Sequence, residues 1–350
     1  MRRPCGEYST TYAKDKAVIR TKAQWVFFVG GMILLLLLPS ILPVHIVKMF
    51  ITFYVQLIAV MGLMLLTGYC GQISLGQAAF VSVGAFTSAI LVSTYGWPFP
   101  ISMICSIVAA VLFGLLFGLP ALRIKGFYLA MSTLAAQFII IWLINHLPSL
   151  TGGSDGMRVA RINILGFVFD NSIKYYYLVL VVTALFTYIA VNLARSKIGR
   201  AWIAIRDNDI AAEAMGINLA KYKLLAFAIC SAFAGVSGAL WAHYVPAINW
   251  EHFTLWESIW YLAMIVIGGI GTISGAIFGT AFIRILDELI TYLFPIISPV
   301  FGGIDEGALA GGLLAIYGLV IALFLIFEPR GLARRWEMFK SWYRLWPFKY

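Results

Sequence analysis

Residues 195–223, RSKIGRAWIAIRDNDIAAEAMGINLAKYK, form a charged, helix-patterned insert between two apolar stretches. Six of the 25 Lys and Arg of the chain lie in it (Arg195, Lys197, Arg200, Arg206, Lys221 and Lys223). It is too polar for lipid and carries no catalytic constellation, so it reads as a docking handle on a membrane protein. An excess of Lys and Arg places such a segment on the cytoplasmic side of a bilayer. A basic loop lying on lipid headgroups is the other reading, and the acidic members Asp207, Asp209 and Glu213 count against it. Ala201–Arg206 and Asp209–Met215 have helix-forming composition, and Gly216 followed by Ile217 and Asn218 reads as a helix stop. A short helix, a glycine turn and a basic return make a compact knob.

On both sides of the insert the chain is strongly apolar. Hydrophobic residues make up 62% of the 350 and charged residues 11%, with a mean hydropathy of +0.92. No water-soluble core of ordinary proportions accommodates that composition. Stretches of roughly 20 apolar residues, each able to cross about 30 Å of hydrocarbon as a helix, recur at 25–43, 46–67, 77–95, 100–119, 127–147, 175–194, 224–246, 257–280, 282–301 and 307–327. The expected fold is an all-α polytopic membrane protein with about ten transmembrane helices. Its parts are a polar cytoplasmic tail (1–24), a transmembrane domain (25–328) holding the insert and an outer loop (148–174), and a basic cytoplasmic tail (329–350). No A-x-A-like cleavage site follows the first apolar run, which favours a retained first span over a removed signal peptide.

Charge sidedness is a separate check on this count. With the N-terminus inside, the cytoplasmic segments hold Arg2, Arg3, Lys14, Lys16, Arg20 and Lys22, then Arg123 and Lys125, the six of the insert, Arg284, and finally Arg330, Arg334, Arg335, Lys340, Arg344 and Lys349. Only Lys48, Arg158, Arg161 and Lys174 fall outside. The net charge of +10 therefore reflects orientation and anionic-lipid contact; no aromatic-interleaved basic patch points to nucleic acid.

Five spans precede the outer loop and five follow it, so the halves have opposite orientation, as in transporters built from an inverted repeat. Such folds carry Gly-interrupted segments at corresponding positions of the two halves. Two candidates are GYCGQISLGQ, with Gly68, Gly71 and Gly76 entering the third span, and GGIGTISGAIFG, with Gly268, Gly269, Gly271, Gly275 and Gly279 in the eighth. The second is also read as close helix packing, since Gly275 and Gly279 form a G-x-x-x-G. In the first, Gln72, Ser74 and Gln77 interleave with the glycines. Unwound backbone at membrane depth needs protein or a water-filled cavity around it, so a break lining a translocation path is preferred, and its freed helix N-terminus would offer N–H donors to a carboxylate.

Catalytic and metal signals are weak. Cys5, Cys70, Cys105 and Cys230 lack metal or redox spacing, and His45, His146, His243 and His252 are scattered near span ends. Gly268–Gly275 lacks the Gly-Lys-Ser/Thr ending of an ATP-binding loop. Arg284, Asp287 and Glu288 have the spacing of a mutually paired cluster at a helix end, with a charge relay as the alternative. Mid-span ionisable groups are otherwise almost missing, so uphill transport would need energy from a partner docked on the insert. A membrane enzyme and an ATP-independent facilitator are the competing classes.

Seven segments in order carry a family likeness: LTGYCGQISLGQAAFVSVGAF (66–86), LRIKGFYLAMSTLA (122–135), LTGGSDGM (150–157), SKIGRAWIAIRDNDIAAEAMGIN (196–218), KLLAFAICSAFAGVSGAL (223–240), GGIGTISGAIFG (268–279) and FEPRGL (327–332). With these the chain resembles the LivM-type permease subunits of branched-chain amino-acid ABC importers. The resemblance implies a multi-pass protein of the bacterial inner membrane, without a cofactor of its own. Its implied partners are a LivH-like second permease, two cytoplasmic ATPase subunits and an extracytoplasmic solute-binding protein. It also implies that Ala204, Ile205, Arg206, Asp207 and Asp209 form the coupling helix, with Glu213, Ala214 and Gly216 at an EAA-type motif. Gly68, Gly71, Gln72, Ser74, Gly76, Gln77, Gly268, Gly269 and Gly271 would line the path, and Thr151, Gly152, Gly153 and Asp155 would face the binding protein. Branched-chain amino acids are the leading solutes; urea, short amides and aromatic acids are the alternatives among related permeases. Gln77 stands where the family commonly has His, and Cys70 where Ala or Gly is usual.

Overall fold

The computed structural model describes residues 22–121, 126–164, 167–169, 171–297, 317–324, 326–328 and 331–345. Its apolar helices are α1 (Lys22–Ile41), α2 (Val44–Leu63, continued by a π-helical turn at Met64–Tyr69), α3 (Gln77–Ser93), α4 (Phe99–Ala121) and α5 (Phe127–Asn145). A short α6 (Pro148–Thr151) and two two-residue strands follow, β1 (Met157–Arg158) and β2 (Asn163–Ile164), with β3 (Phe167–Val168) completing a hairpin with β2. After α7 (Ser172–Arg195) come the insert helices α8 (Lys197–Asp207) and α9 (Asp209–Ala214), then α10 (Leu219–Tyr244) and β4 (Ala247–Ile248), which pairs antiparallel with β1. The chain continues through α11 (Leu255–Gly268), α12 (Ile273–Ile297), a helical stretch at 317–324 and α13 (Leu332–Leu345).

Among the described residues, α2, α4, α5, α7 and α10 are each long and apolar enough to cross a membrane, and α11 with α12 passes the same test as a pair bent by 117°. That makes five to six candidate spans; α3 and the apolar part of α1, Val29–Ile41, are shorter. The predicted ninth and tenth spans are only partly described, and the first 21 residues lie outside the described residues. The predicted basic tail contains α13, an amphipathic helix with Trp336, Phe339 and Trp342 exposed beside Arg334, Arg335 and Lys340.

α10 is the hub, packed on α2, α3 and α4. Lipid tails are as apolar as leucine, so close approach of small residues is what holds membrane helices together. A Cβ on Gly238 of α10 would lie 2.0 Å from the Val81 carbonyl oxygen of α3, and one on Gly84 would lie 2.4 Å from the Gly235 carbonyl oxygen. At the end of the bundle remote from the insert, Ser88 bonds Ser102 at 3.1 Å and His243 Nε2 at 2.9 Å, while His243 Nδ1 reaches the Ala160 carbonyl at 2.8 Å. This polar cluster ties α3, α4 and α10 to the 148–174 loop.

Two expectations change. The predicted eighth span, 257–280, is not one helix: the chain turns at Gly269–Thr272 and α12 heads back. A sequence average hides this break, because Ile270 and Ile273 keep the segment apolar. Arg284 consequently belongs to the interior of α12 instead of a cytoplasmic connection. It borders a cavity with Lys48 and Tyr244, and Tyr244 ends α10 opposite the insert. Nor are Arg284, Asp287 and Glu288 one mutually paired helix-end cluster, for Arg284 bonds Asp287 while Glu288 meets His45.

Gly238→Leu is expected to destabilise the fold by at least ~3 kcal/mol, the upper end of ordinary overpacking, because rigid backbone opposes it. A thermal-unfolding scan in detergent should show this, with Gly30→Leu as the unchanged control, since a Cβ on Gly30 meets nothing within 4 Å.

Candidate functional site: a docking knob latched to two helix breaks

Three side-chain caps shape the insert. Ser196 Oγ accepts from the Ile198 and Gly199 amides at the start of α8, Asn208 Oδ1 from the Ala211 amide at the start of α9, and Asn218 Oδ1 from the Lys221 amide at the start of α10. Such caps contribute about 1 kcal/mol each. α9 closes as expected at Gly216: its amide reaches the Glu213 carbonyl at 2.9 Å and the Ile217 amide reaches the Ala212 carbonyl at 3.0 Å. This double bond of a Schellman ending needs a left-handed residue, and Gly216 has φ +83°. Trp202, fully buried, anchors α8 to the bundle by donating Nε1–H to the Tyr222 carbonyl at 2.9 Å.

The two helices of the knob differ in what they expose. α8 buries Ala201, Trp202 and Ile205, and Ala204 is half-buried. α9 instead presents Ile210 and the adjoining Met215, 74% and 84% exposed, among Asp207, Glu213, Ala214 and Gly216. Sequence reading missed Ile210 and Met215 because nothing in their spacing separates an outward apolar residue from a packed one. It missed the anchoring role of Trp202 for the same reason.

The first break is real. After the π-helical turn, residues 70–76 are non-helical before α3 begins at Gln77. Its freed polar groups are paired by protein. The Leu75 amide donates to Thr133 Oγ1 at 2.9 Å, and Thr67 Oγ1 donates to the Gln72 carbonyl at 3.1 Å. The first α3 donors are also taken, Ala78 N–H by Ser258 Oγ at 2.9 Å and Ala79 N–H by Gln137 Oε1 at 2.8 Å. Two of the amides at the α3 N-terminus are thus paired within the protein and not open to a carboxylate. Ser74 and Gln77 are fully buried; Gln77 donates to the Ala59 carbonyl at 2.9 Å and accepts from Cys230 Sγ at 3.1 Å, stitching α2, α3 and α10. Gly76 packs on the Thr133 carbonyl.

Gly68 of the first break meets Gly271 of the second, while Gly71 packs on Arg206 and Gly268 on Gly275 and Gly279. A Cβ on Gly68 would lie 2.7 Å from the Gly271 nitrogen. The two breaks touch at the end of the bundle that carries the knob. Gly275 and Gly279 serve packing: a Cβ on Gly279 would lie 1.7 Å from the Met264 carbonyl oxygen, closing α12 against α11.

Arg206 joins the knob to both breaks. Its Nη1 donates to the Gly68 carbonyl at 2.8 Å, its stem covers Gly71, and the same nitrogen stands against Gly271. Asp207 holds the guanidinium from the other side through Nε and Nη2 at 3.1 and 2.9 Å. A cavity of about 350 Å³ beside this junction is lined by Cys70, Gly71, Gln72, Ile205, Arg206 and Lys223, among others. Burial pushes the Cys70 thiol up to about 12, with the Lys223 ammonium opposing, so the group stays protonated at neutral pH. Gln72 Oε1 is buried with no hydrogen-bond partner among the described residues.

At the other end, the predicted partner-facing loop divides. Thr151 is buried and donates to the Ile144 carbonyl at 2.6 Å, and Gly153 is buried. Gly152 is half-buried and Asp155 is exposed.

A family signature described as "Branched-chain amino acid transport system / permease component" matches residues 45–327. The chain is 30% identical over 336 residues to the high-affinity branched-chain amino acid transport system permease protein LivM of Escherichia coli (strain K12), covering 89% of this chain and 75% of that protein. It is 26% identical over 262 residues to a probable branched-chain amino acid transport permease protein LivH of Methanocaldococcus jannaschii, covering 71% and 78%. It is 23% identical over 232 residues to the guanosine ABC transporter permease protein NupQ of Bacillus subtilis (strain 168), covering 59% and 71%. No solved structure matches the chain significantly. The matched region runs from the start of α2 through both breaks and the knob to residue 327, and the chain belongs to the family of permease components of branched-chain amino acid transport systems.

Proposed function

We propose that this chain is a membrane permease subunit of an ATP-driven importer that carries branched-chain or related hydrophobic amino acids across the bacterial inner membrane. The single observation behind this reading is the Arg206 latch, which ties an outward-facing knob to two helix breaks at one end of the bundle. In this reading the knob and both termini are cytoplasmic, and the chain crosses the membrane ten times in two oppositely oriented halves. The alternating connections support the count, with α11 and α12 as separate crossings joined at Gly269–Thr272.

One of two cytoplasmic ATPase subunits would seat α9 and its Gly216 turn in a groove. Ile210 and Met215 fill that groove, and Asp207 and Glu213 set the register at its rim. Ala204, Ile205 and Asp209 carry the motion into α8. Arg206 then draws on the Gly68 carbonyl and Gly271, so Gly68, Gly71, Gln72, Gly268, Gly269 and Gly271 form the inner gate. The orphaned acceptor of Gln72 supports a mobile break, because a buried unpaired acceptor costs about 1–3 kcal/mol and another arrangement can satisfy it. Ser74, Gly76 and Gln77 hold the frame around the gate. A LivH-like second permease completes the path, and a solute-binding protein docks at the opposite end, where Asp155 is exposed.

Three outcomes are expected. Exchanging Ile210→Ser together with Met215→Ser should reduce co-purification of the ATPases about tenfold, as loss of a docking anchor does; undiminished capture would place docking elsewhere. Gly216→Val, strained by of order 1–3 kcal/mol at its left-handed φ, should weaken stimulation of ATP hydrolysis by solute-loaded binding protein while membrane insertion is preserved. Gly216→Asn should retain it. Arg206→Ala should leave ATPase binding in place yet lower leucine uptake into proteoliposomes about ten- to a hundredfold, since removing one charged hydrogen-bonding partner costs about 1.5–3 kcal/mol. Uptake in vesicles without any ATPase would instead identify a facilitator.

A further inference from the structure

Two donors at the α3 N-terminus are already paired and the knob carries no solute chemistry, which leaves the charged groups of other helices to meet the polar end of a solute. A mixed-charge cluster lies within α12. Arg284 stands 11 residues past Ile273, about 17 Å along the helix from the second break at 1.5 Å per residue. Its Nε donates to Gln56 Oε1 at 2.6 Å, and its Nη1 donates to Asp287 Oδ2 at 3.0 Å. The Tyr317 hydroxyl donates to the other Asp287 oxygen, and His45 engages Glu288. Glu257, in the first turn of α11, is close enough to interact electrostatically with both Arg284 and Asp287. Arg284, Asp287, Glu288 and His45 border a cavity of about 180 Å³ whose walls include Lys48, Thr52 and Tyr244. That is below the roughly 300–1,000 Å³ of a drug-sized pocket, and it fits the charged end of a small solute.

Two features separate this cluster from a structural ion pair. First, it is open: the side chains of Arg284 and Asp287 remain 20% and 48% exposed, and the remaining guanidinium N–H groups have no partner among the described residues. Second, an ion pair within a span stabilises little compared with apolar packing, so charge at that depth marks a solute pathway. A guanidinium fork matches a carboxylate, and Asp287 beside Glu288 presents acceptors to an ammonium.

We propose that Arg284 and Asp287 form a binding site for the charged end of a zwitterionic solute, Arg284 receiving its carboxylate and Asp287 its ammonium. This rests on the importer reading for the direction of transport, whereas the binding chemistry stands apart from it. The test uses the full chain assembled with its partner permease and ATPases in lipid nanodiscs. Thr52→Cys places a thiol on the cavity wall, and its alkylation is followed by mass spectrometry. Millimolar leucine is expected to slow alkylation, while leucinamide, which lacks the carboxylate, and 4-methylpentanoate, which lacks the ammonium, leave it unchanged.

The pair Arg284→Gln with Asp287→Asn removes both charges and strands neither, so the fold should survive with an unchanged melting temperature. Protection by leucine should vanish, and uptake in proteoliposomes should fall about tenfold or more, as expected when a charged contact is lost. Arg284→Lys keeps the charge without the fork and should raise KM with kcat preserved. Equal protection by leucine and leucinamide, wild-type uptake by the doubly substituted chain, or an unchanged KM in Arg284→Lys would each overturn the proposal. If the unsubstituted assembly imports no amino acid at all, the importer reading fails instead; leucine protection at Thr52→Cys is read separately from it.

Discussion

A helix that breaks within an apolar bundle frees N–H and C=O groups, and each one left buried must find a partner or cost several kcal/mol. This structure has two such breaks, at residues 64–76 and 269–272, and much of its polar chemistry answers to them. Thr133, Ser258 and Gln137 pair the amides of the first. Thr272 holds the Gly275 amide at the second. The Gly68 carbonyl is capped by Arg206, which arrives from outside the bundle. A break held by its own bundle is a static feature, but one held by an arginine on a projecting knob can be altered by whatever moves the knob.

The two ends of the bundle are consequently built for different work. The end carrying the knob has glycine-to-glycine contact between the breaks, a cavity wall of mixed charge and an exposed apolar tip. The opposite end is tied by the Ser88–Ser102–His243 cluster and the β1–β4 pair, and below it α12 holds Arg284 and Asp287 against α2. Between them α10 is locked to α3 by glycine faces that leave no room for a Cβ. A closely packed middle thus separates a glycine-lined break at one end from a charged recess toward the other.

Membrane class, helix positions and the knob were legible because each follows from local quantities. Apolar runs of sufficient length bounded most of the helices to within a turn or so, and the Ala-rich stretches before Gly216 marked α9 and its stop. Gln77 was legible as a polar residue beside a break, yet its role was not. Both ends of its amide are satisfied by Ala59 and Cys230, residues 18 and 153 positions away, and no local pattern encodes such pairing. Arg284 was misassigned for a related reason. Hydropathy averages over the glycines of the second break, so the turn that carries Arg284 back into the bundle leaves no trace in the average.

The amino-acid sequence by itself determined that this chain is a helical membrane protein with a polar knob and glycine-rich interruptions, because insertion into lipid depends on composition over about twenty residues. Only the tertiary structure decided that the two interruptions touch, that Arg206 holds them, that two amides of the α3 N-terminus are already paired, and that a charged pair lies within α12. Those outcomes depend on which distant surfaces come within about 3 Å of one another, the range of a hydrogen bond. That distance is set by helix packing and by the 117° bend between α11 and α12, which no stretch of sequence specifies alone.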